Sequence, residues 1–185
     1  MKEFSSPAEA SNWLKEGKIL IHPTEGVWGL GCDASNIKAC EKIALLKQRS
    51  KSKNFILLAP SISFAIDCSE KIESSQIEFL ESIWPGHVTV ILQANSSISP
   101  SIKEENSTIG IRVSNHLPIK NLFKGFDRPI ISTSANISGQ EIINNPQEVI
   151  NFFECDEVAY YDEMLGENNS PSQIIDLDSK DIIRA

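Results

Sequence analysis

The sequence predicts an α/β protein built on a mixed sheet, and three observations predict it. Short apolar, strand-like runs alternate along the chain with segments whose apolar residues recur at helical spacing. Two such runs, Val88–Leu92 and Thr108–Val113, follow one another with no helical segment between them, which adds an antiparallel component. The chain has 185 residues, the length of one domain with a sizeable core. No internal repeat and no linker divides it, so residues 1–185 read as a single domain.

The first helix opens at Ser6, a capping residue, with Pro7 in its first turn and Glu9 completing a capping box; Gly17 stops it. Lys18–Ile21 is a strand, and the segment His22–Asp33 follows it as a polar loop. From Asn36 to Lys47 the residues Ile37, Cys40, Ile43, Ala44 and Leu46 mark a helix. Phe55–Ala59 is a short buried strand ended by Pro60. Ser75–Trp84 is a helix stopped by Pro85-Gly86, and the strands Val88–Leu92 and Thr108–Val113 follow. Between those strands, Ser96–Asn106 is polar and is the expected flexible loop. His116–Phe123 is a helix with Pro118 in its first turn. Pro129–Ser132 is a strand leading into Thr133-Ser134-Ala135-Asn136. Asn145-Pro146-Gln147-Glu148 opens a helix to about Phe153. Val158–Tyr161 and Gln173–Leu177 complete the strands, with a second polar loop at Gly166–Ser170.

The hydrophobic fraction of 41% fits a soluble globular protein. A net charge of −8 argues against strong non-specific binding to nucleic acid, although Lys47, Arg49, Lys51 and Lys53 form a local basic cluster. Cys32, Cys40, Cys68 and Cys155 lack the close spacing of zinc or redox motifs and read as reduced, buried thiols. The polar N-terminus lacks a signal-peptide core, and no apolar run approaches the ~20 residues of a membrane helix. These features place the protein in the cytoplasm.

Three polar segments at strand or helix ends can converge on one cleft, the usual ligand place in an α/β protein. Lys47 and Arg49 stand two residues apart where the helical pattern runs out. They cannot share a helix face, but they converge if the chain turns there. Arg49 offers a planar fork for phosphate or carboxylate and Lys47 a compact charge. Alone, the triplet also reads as a solvated basic turn. Ser132, Thr133, Ser134 and Asn136 put four polar groups into five residues, able to hold phosphate oxygens or merely to stabilise a turn. Thr24 and Glu25 can meet a ligand or form a turn, with Glu25 otherwise the partner of a nearby cation. Gly29-Leu30-Gly31 lacks the third glycine of a dinucleotide loop, and there is no P-loop. His22, His87 and His116 form no metal-ligand cluster and read as structural or surface residues. Trp28 and Trp84 read as core or as packing under the cleft.

Taken in order, Pro23-Thr24-Glu25, Gly29-Leu30-Gly31, Lys47-Gln48-Arg49, Trp84-Pro85-Gly86, Ile111-Arg112-Val113, Ser134-Ala135-Asn136-Ile137-Ser138-Gly139 and Pro171-Ser172-Gln173-Ile174 resemble the YrdC family. The stand-alone threonylcarbamoyl-AMP synthases within it are the nearest likeness, from about Lys18 to Arg184. The resemblance implies a twisted α/β domain with a cationic concave face. It implies that L-threonine, bicarbonate and ATP, with Mg²⁺, give threonylcarbamoyl-adenylate and pyrophosphate. The product feeds N6-threonylcarbamoylation of the adenosine next to the anticodon in tRNAs reading codons that begin with A, a transfer made by other proteins. By similarity, Lys47, Arg49, Ser134 and Asn136 match the family's catalytic tetrad. Arg49, Lys53, Thr108, Ser134 and Arg184 match positions that contact ATP. Thr24, Arg112, Ser132 and Ser172 match positions around threonine, with Arg112 the partner of its carboxylate. No dedicated base or protein metal site is implied.

Four positions depart from the family's habit. His22 stands where Tyr is frequent, Ser50 and His87 where Pro is, and Gln173 where Thr is. The chain ends at Ala185, as in the short form without the extra C-terminal domain, so loops are expected to close the site. A non-catalytic RNA-binding module on the same fold is the alternative. The intact tetrad and the acidic balance disfavour it, and direct tRNA contact is expected to be weak. A carbamoyl-transfer domain of the hydrogenase-maturation type would need a longer chain and paired cysteines. An interaction subunit with a silent site is a further reading.

Overall fold

The computed structural model describes residues 1–48, 55–103 and 106–185. In chain order the elements are β1 (Lys2–Phe4), α1 (Pro7–Lys15), β2 (Ile19–His22), β3 (Gly29–Asp33), α2 (Ile37–Leu46), β4 (Ile56–Leu58), α3 (Ile62–Asp67), α4 (Ser74–Ile83), β5 (Val88–Gln93), a 3-10 turn (Pro100–Ile102), β6 (Thr108–Arg112), α5 (Leu117–Gly125), β7 (Ile130–Ser134), α6 (Pro146–Phe152), β8 (Val158–Tyr161), β9 (Gln173–Asp176) and β10 (Ile182–Arg184).

Among the described residues the ten strands form one sheet in the order β1-β8-β2-β3-β7-β4-β6-β5-β9-β10. It is mixed: β2–β3, β3–β7, β4–β7, β5–β6 and β9–β10 are antiparallel, and β1–β8, β2–β8, β4–β6 and β5–β9 are parallel. The antiparallel β5–β6 pair is the one expected from residues 88–113.

Side-chain alternation assigns the sheet's two faces. One buries Ile19, Leu30, Leu57, Ile111, Ile131 and Val158 under α2, α3, α4 and α6. The other buries Leu20, Leu58, Ile130, Ala159 and Tyr161 under α1 and α5. Further along this second face the register places Gly29 beside Ser134, Gly31 beside Ser132, and Ile56 beside both Ser132 and Gly110. There the inward residues change from aliphatic to hydroxyl, glycine and arginine.

Local chemistry sets the helix starts. Asn36 accepts from Ala39 N (3.2 Å), Ser61 from Phe64 N (3.1 Å) and Asn145 from Gln147 N (2.9 Å). The box expected at Ser6 does not form: Ser6 holds the N-cap position without a side-chain bond, and the fixed φ of Pro7 starts α1. Gln76 Oε1 accepts from Glu73 N (2.9 Å), so the reciprocal box belongs to α4.

Other expectations are corrected. Gly29–Asp33 is an inner strand rather than the end of a loop. β7 runs to Ser134, two residues beyond the expected end at Ser132, so Thr133 and Ser134 are strand residues. β1, α3 and β10 were not expected. Within the polar Ser96–Asn106 stretch, residues 100–102 form a 3-10 turn and residues 104 and 105 lie outside the described residues. Among the described residues no helix is long and apolar enough to cross a membrane.

Candidate active site

The part of the second face that α1 and α5 leave open is a cleft of about 240 Å³. Thr24, Arg112, Ser132, Ser134, Ser172 and Arg184, all expected from the sequence, line it, with Gly29, Ile56 and Ile174 forming its apolar parts. The charged residues among its described lining are Arg112 and Arg184, so the cleft is cationic although the chain is acidic.

Arg112 ends β6 and is 5% exposed. Its Nη1 is 3.5 Å from Glu25 Oε2, and Glu25 Oε1 accepts from Ser114 Oγ at 2.7 Å. Burial alone would raise the Glu25 carboxyl. The Arg112 charge and the Ser114 bond outweigh it and hold the group below the usual carboxylate range. Burial lowers the guanidinium of Arg112, and Glu25 opposes that shift. Among the described residues Arg112 Nε and Glu25 Oε2 are buried without a hydrogen-bond partner, so the brace is ionic rather than a closed fork. Glu25 is therefore the cation's partner, one of the two readings open from sequence.

The loop carrying Thr24 and Glu25 is strapped to residues 166–170. Gly166 N donates to Thr24 O (2.9 Å) and Asn168 N to Glu25 O (3.0 Å). A Cβ on Gly26 would stand 2.0 Å from Ser170 O, so only glycine permits this approach. The Thr24 hydroxyl donates to Val27 O (2.7 Å) and accepts from Val27 N (3.2 Å), which commits much of its capacity to the turn. On the far wall Ser172 Oγ bonds Thr89 Oγ1 (2.8 Å), and Arg184 donates from Nε and Nη2 to Ser172 O at 3.0 and 2.7 Å.

Lys47, Ser134 and Asn136 come together as one cluster. Lys47 follows α2 and is 1% exposed; its ammonium donates to Ser134 O, to Asn136 O (2.6 Å) and to Asn136 Oδ1 (3.4 Å). Ser134 Oγ donates to Asn136 Oδ1 (2.7 Å), and Asn136 Nδ2 to Gln140 O (2.6 Å). Ala135 N donates to Trp28 O at 2.7 Å and Ser138 N to Lys47 O at 3.1 Å, which fixes the loop to both neighbours. Lys47 thus sits beneath the loop that presents Ser134. Arg49 and Lys53, expected here, lie outside the described residues. Thr108 shares the face of Gly110 and Arg112 at the other end of β6, where its hydroxyl donates to Asn106 Oδ1 (2.7 Å).

His22, expected to be structural or at the surface, is buried behind the residues that line the cleft, with Nε2 3.3 Å from Ser132 Oγ. The signal for it was the Gly29/Gly31 pair, alternate residues across the β2–β3 pairing that leave space for a ring. Among the described residues no group of three or more His, Cys, Asp or Glu could hold a metal ion.

A model of the Sua5/YciO/YrdC family, described as "Telomere recombination", matches residues 12–185. The threonylcarbamoyl-AMP synthase of Saccharophagus degradans is 38% identical over 172 residues, 93% of this chain and 90% of that protein. The threonylcarbamoyl-AMP synthase of Pseudoalteromonas translucida is 35% identical over 179 residues, 95% of each. The crystal structure of P. abyssi Sua5 complexed with L-threonine superposes with a TM-score of 0.85 at 26% identity, over 92% of this chain and 50% of that one. This chain spans about half of that protein's length. E. coli YciO matches in fold, with a TM-score of 0.86 at 24% identity, over 96% of this chain and 87% of that one. The chain, matched across nearly its whole length, belongs to the Sua5/YciO/YrdC family.

Proposed function

We propose that this protein is a threonylcarbamoyl-AMP synthase, one domain over residues 1–185. The observation that carries this reading is the buried Arg112, braced from behind by Glu25 and facing a wall of serine hydroxyls. The relatives that bear this enzyme's name, matched over nine-tenths or more of their length, support it.

The reaction joins three substrates. The amine of L-threonine takes up bicarbonate as a carbamate, with loss of water. A carbamate oxygen attacks the α-phosphorus of ATP, the bond to the β-phosphate oxygen breaks, and pyrophosphate leaves. Carbamate, carboxylate and triphosphate must crowd together, so fixed cations and donors carry the catalysis, by positioning and by charge. Arg112 receives the threonine carboxylate as a bidentate, charge-assisted pair. Ser132, Ser172 and Thr24 surround the amino acid. Lys47 holds the Ser134–Asn136 loop and adds positive potential beneath it. Arg49, Lys53, Thr108, Ser134 and Arg184 take the nucleotide. The cleft volume of about 240 Å³ falls below the range of about 300–1,000 Å³ for drug-sized ligands, so it suits the amino acid better than ATP.

Mg²⁺ enters this reading on the phosphates of ATP, where it would neutralise charge. The product would pass to separate proteins that transfer it to tRNA, a cytoplasmic pathway. The test is pyrophosphate release from ATP with Mg²⁺, with and without L-threonine and bicarbonate. Release that needs both co-substrates is expected. Release independent of either, or RNA binding without turnover, contradicts the reading.

A further inference from the structure

His22 ends β2, and its ring lies across β3 over Gly29 and Gly31. A Cβ on Gly29 would stand 2.5 Å from His22 Cε1, and one on Gly31 2.9 Å from His22 Nε2. The two glycines make room for the ring. Its nitrogens have fixed partners: Nδ1 is 3.2 Å from Pro23 O, and Nε2 is 3.3 Å from Ser132 Oγ. A carbonyl oxygen only accepts, so Nδ1 carries a proton. Burial pushes the imidazole down to about 4, so at neutral pH the ring is uncharged and Nε2 presents its lone pair. Ser132 then donates its one proton to Nε2 and turns only lone pairs toward the cleft it lines.

We infer that His22 is a positioning residue that makes Ser132 an obligate acceptor, set to receive an N–H from the amino nitrogen of an α-amino acid. This inference rests on the proposed reaction and deepens it, because it names the group that tells an amino acid from its des-amino analogue. A site built around a hydrogen bond rejects the analogue that lacks the donor, since the buried acceptor is then left unpaired. In the synthase reaction the same acceptor keeps the amino nitrogen turned toward the incoming bicarbonate carbon. His22 touches no reacting atom and acts through Ser132.

Two measurements test this on the full chain. Long-range ¹H–¹⁵N correlation spectra of the unsubstituted protein report the tautomer, and a proton on Nδ1 with an unprotonated Nε2 is expected. Calorimetric titration compares L-threonine, its des-amino analogue and ATP in His22→Phe and His22→Gln. Phe keeps a ring without an acceptor, and Gln restores an acceptor oxygen. The Phe variant should bind L-threonine about tenfold more weakly, the ratio given by one lost hydrogen bond of ordinary strength, and should lose the preference over the analogue. Gln should restore both, and ATP affinity should stay constant throughout.

A proton on Nε2, or unchanged L-threonine affinity in a folded Phe variant, overturns the assignment. Should His22→Phe not fold, the tautomer and the Gln variant decide it. Absence of L-threonine binding in the unsubstituted protein overturns the proposed reaction instead, and the spectrum still decides the His22–Ser132 pair.

Discussion

Replacing Glu25 by Gln removes the charge behind Arg112 while keeping size and the acceptor for Ser114 Oγ. The carboxylate oxygen and guanidinium nitrogen are 3.5 Å apart, with side-chain exposures of 11% and 6%. At that separation, and an effective dielectric constant near 20, the attraction is roughly 5 kcal/mol. Removing one partner of a buried pair costs about 3–5 kcal/mol, because the other charge is left uncompensated. The retained Ser114 bond argues for the lower end, so Glu25→Gln should lose about 3 kcal/mol at neutral pH. The carboxyl is held below its unfolded value of about 4.3, so its stabilisation is complete above that pH and is lost as pH falls through the lower folded value. The gap between the two proteins should therefore close on acidification. Urea unfolding followed by the fluorescence of the buried Trp28 and Trp84 measures it. A loss under about 1 kcal/mol, within the range of exposed ion pairs, refutes the brace. A gap that does not shrink as the carboxyl protonates refutes its electrostatic origin.

Lys47→Met keeps the apolar stem but removes the buried ammonium's bonds to Ser134 O, Asn136 O and Asn136 Oδ1, which should cost about 1–3 kcal/mol in thermal melts and abolish adenylate formation. Near-normal turnover would contradict the loop-holding role. Gly26→Ala drives a Cβ into Ser170 O, and overpacking of about 1–3 kcal/mol should lower the melting temperature and weaken L-threonine binding; an unchanged melt would show that the strap yields. Ser132→Ala should weaken L-threonine binding more than ATP binding, and calorimetry giving the opposite order would move Ser132 to the nucleotide side.

Much of the fold was legible because its periodicities are strong. The α2 pattern from Ile37 to Leu46, capped by Asn36, needs no tertiary information. β3 was illegible because Gly-Leu-Gly-Cys-Asp has the composition of a turn. Its glycines answer to the His22 ring, a contact that exists only once the strands pair. β1 is three residues at a sheet edge, held by parallel pairing to β8 at the other end of the chain. In the site, the hydroxyls of β7 were legible because apolar strands rarely carry them. The ionic partner of Arg112 stayed one of two readings, since Glu25 lies far from it in sequence and only folding joins them. Arg184 carries no local signal. It is exposed, at the end of a short edge strand, and reaches the cleft through Ser172 O.

The most direct test supplies ¹³C-labelled bicarbonate with L-threonine, ATP and Mg²⁺ to the purified protein and detects the nucleotide products by mass spectrometry. The proposed reaction predicts threonylcarbamoyl-adenylate with the label in its carbamoyl carbon, formed together with pyrophosphate. ATP left intact by a folded protein, or cleaved with no label in the adenylate, would contradict it.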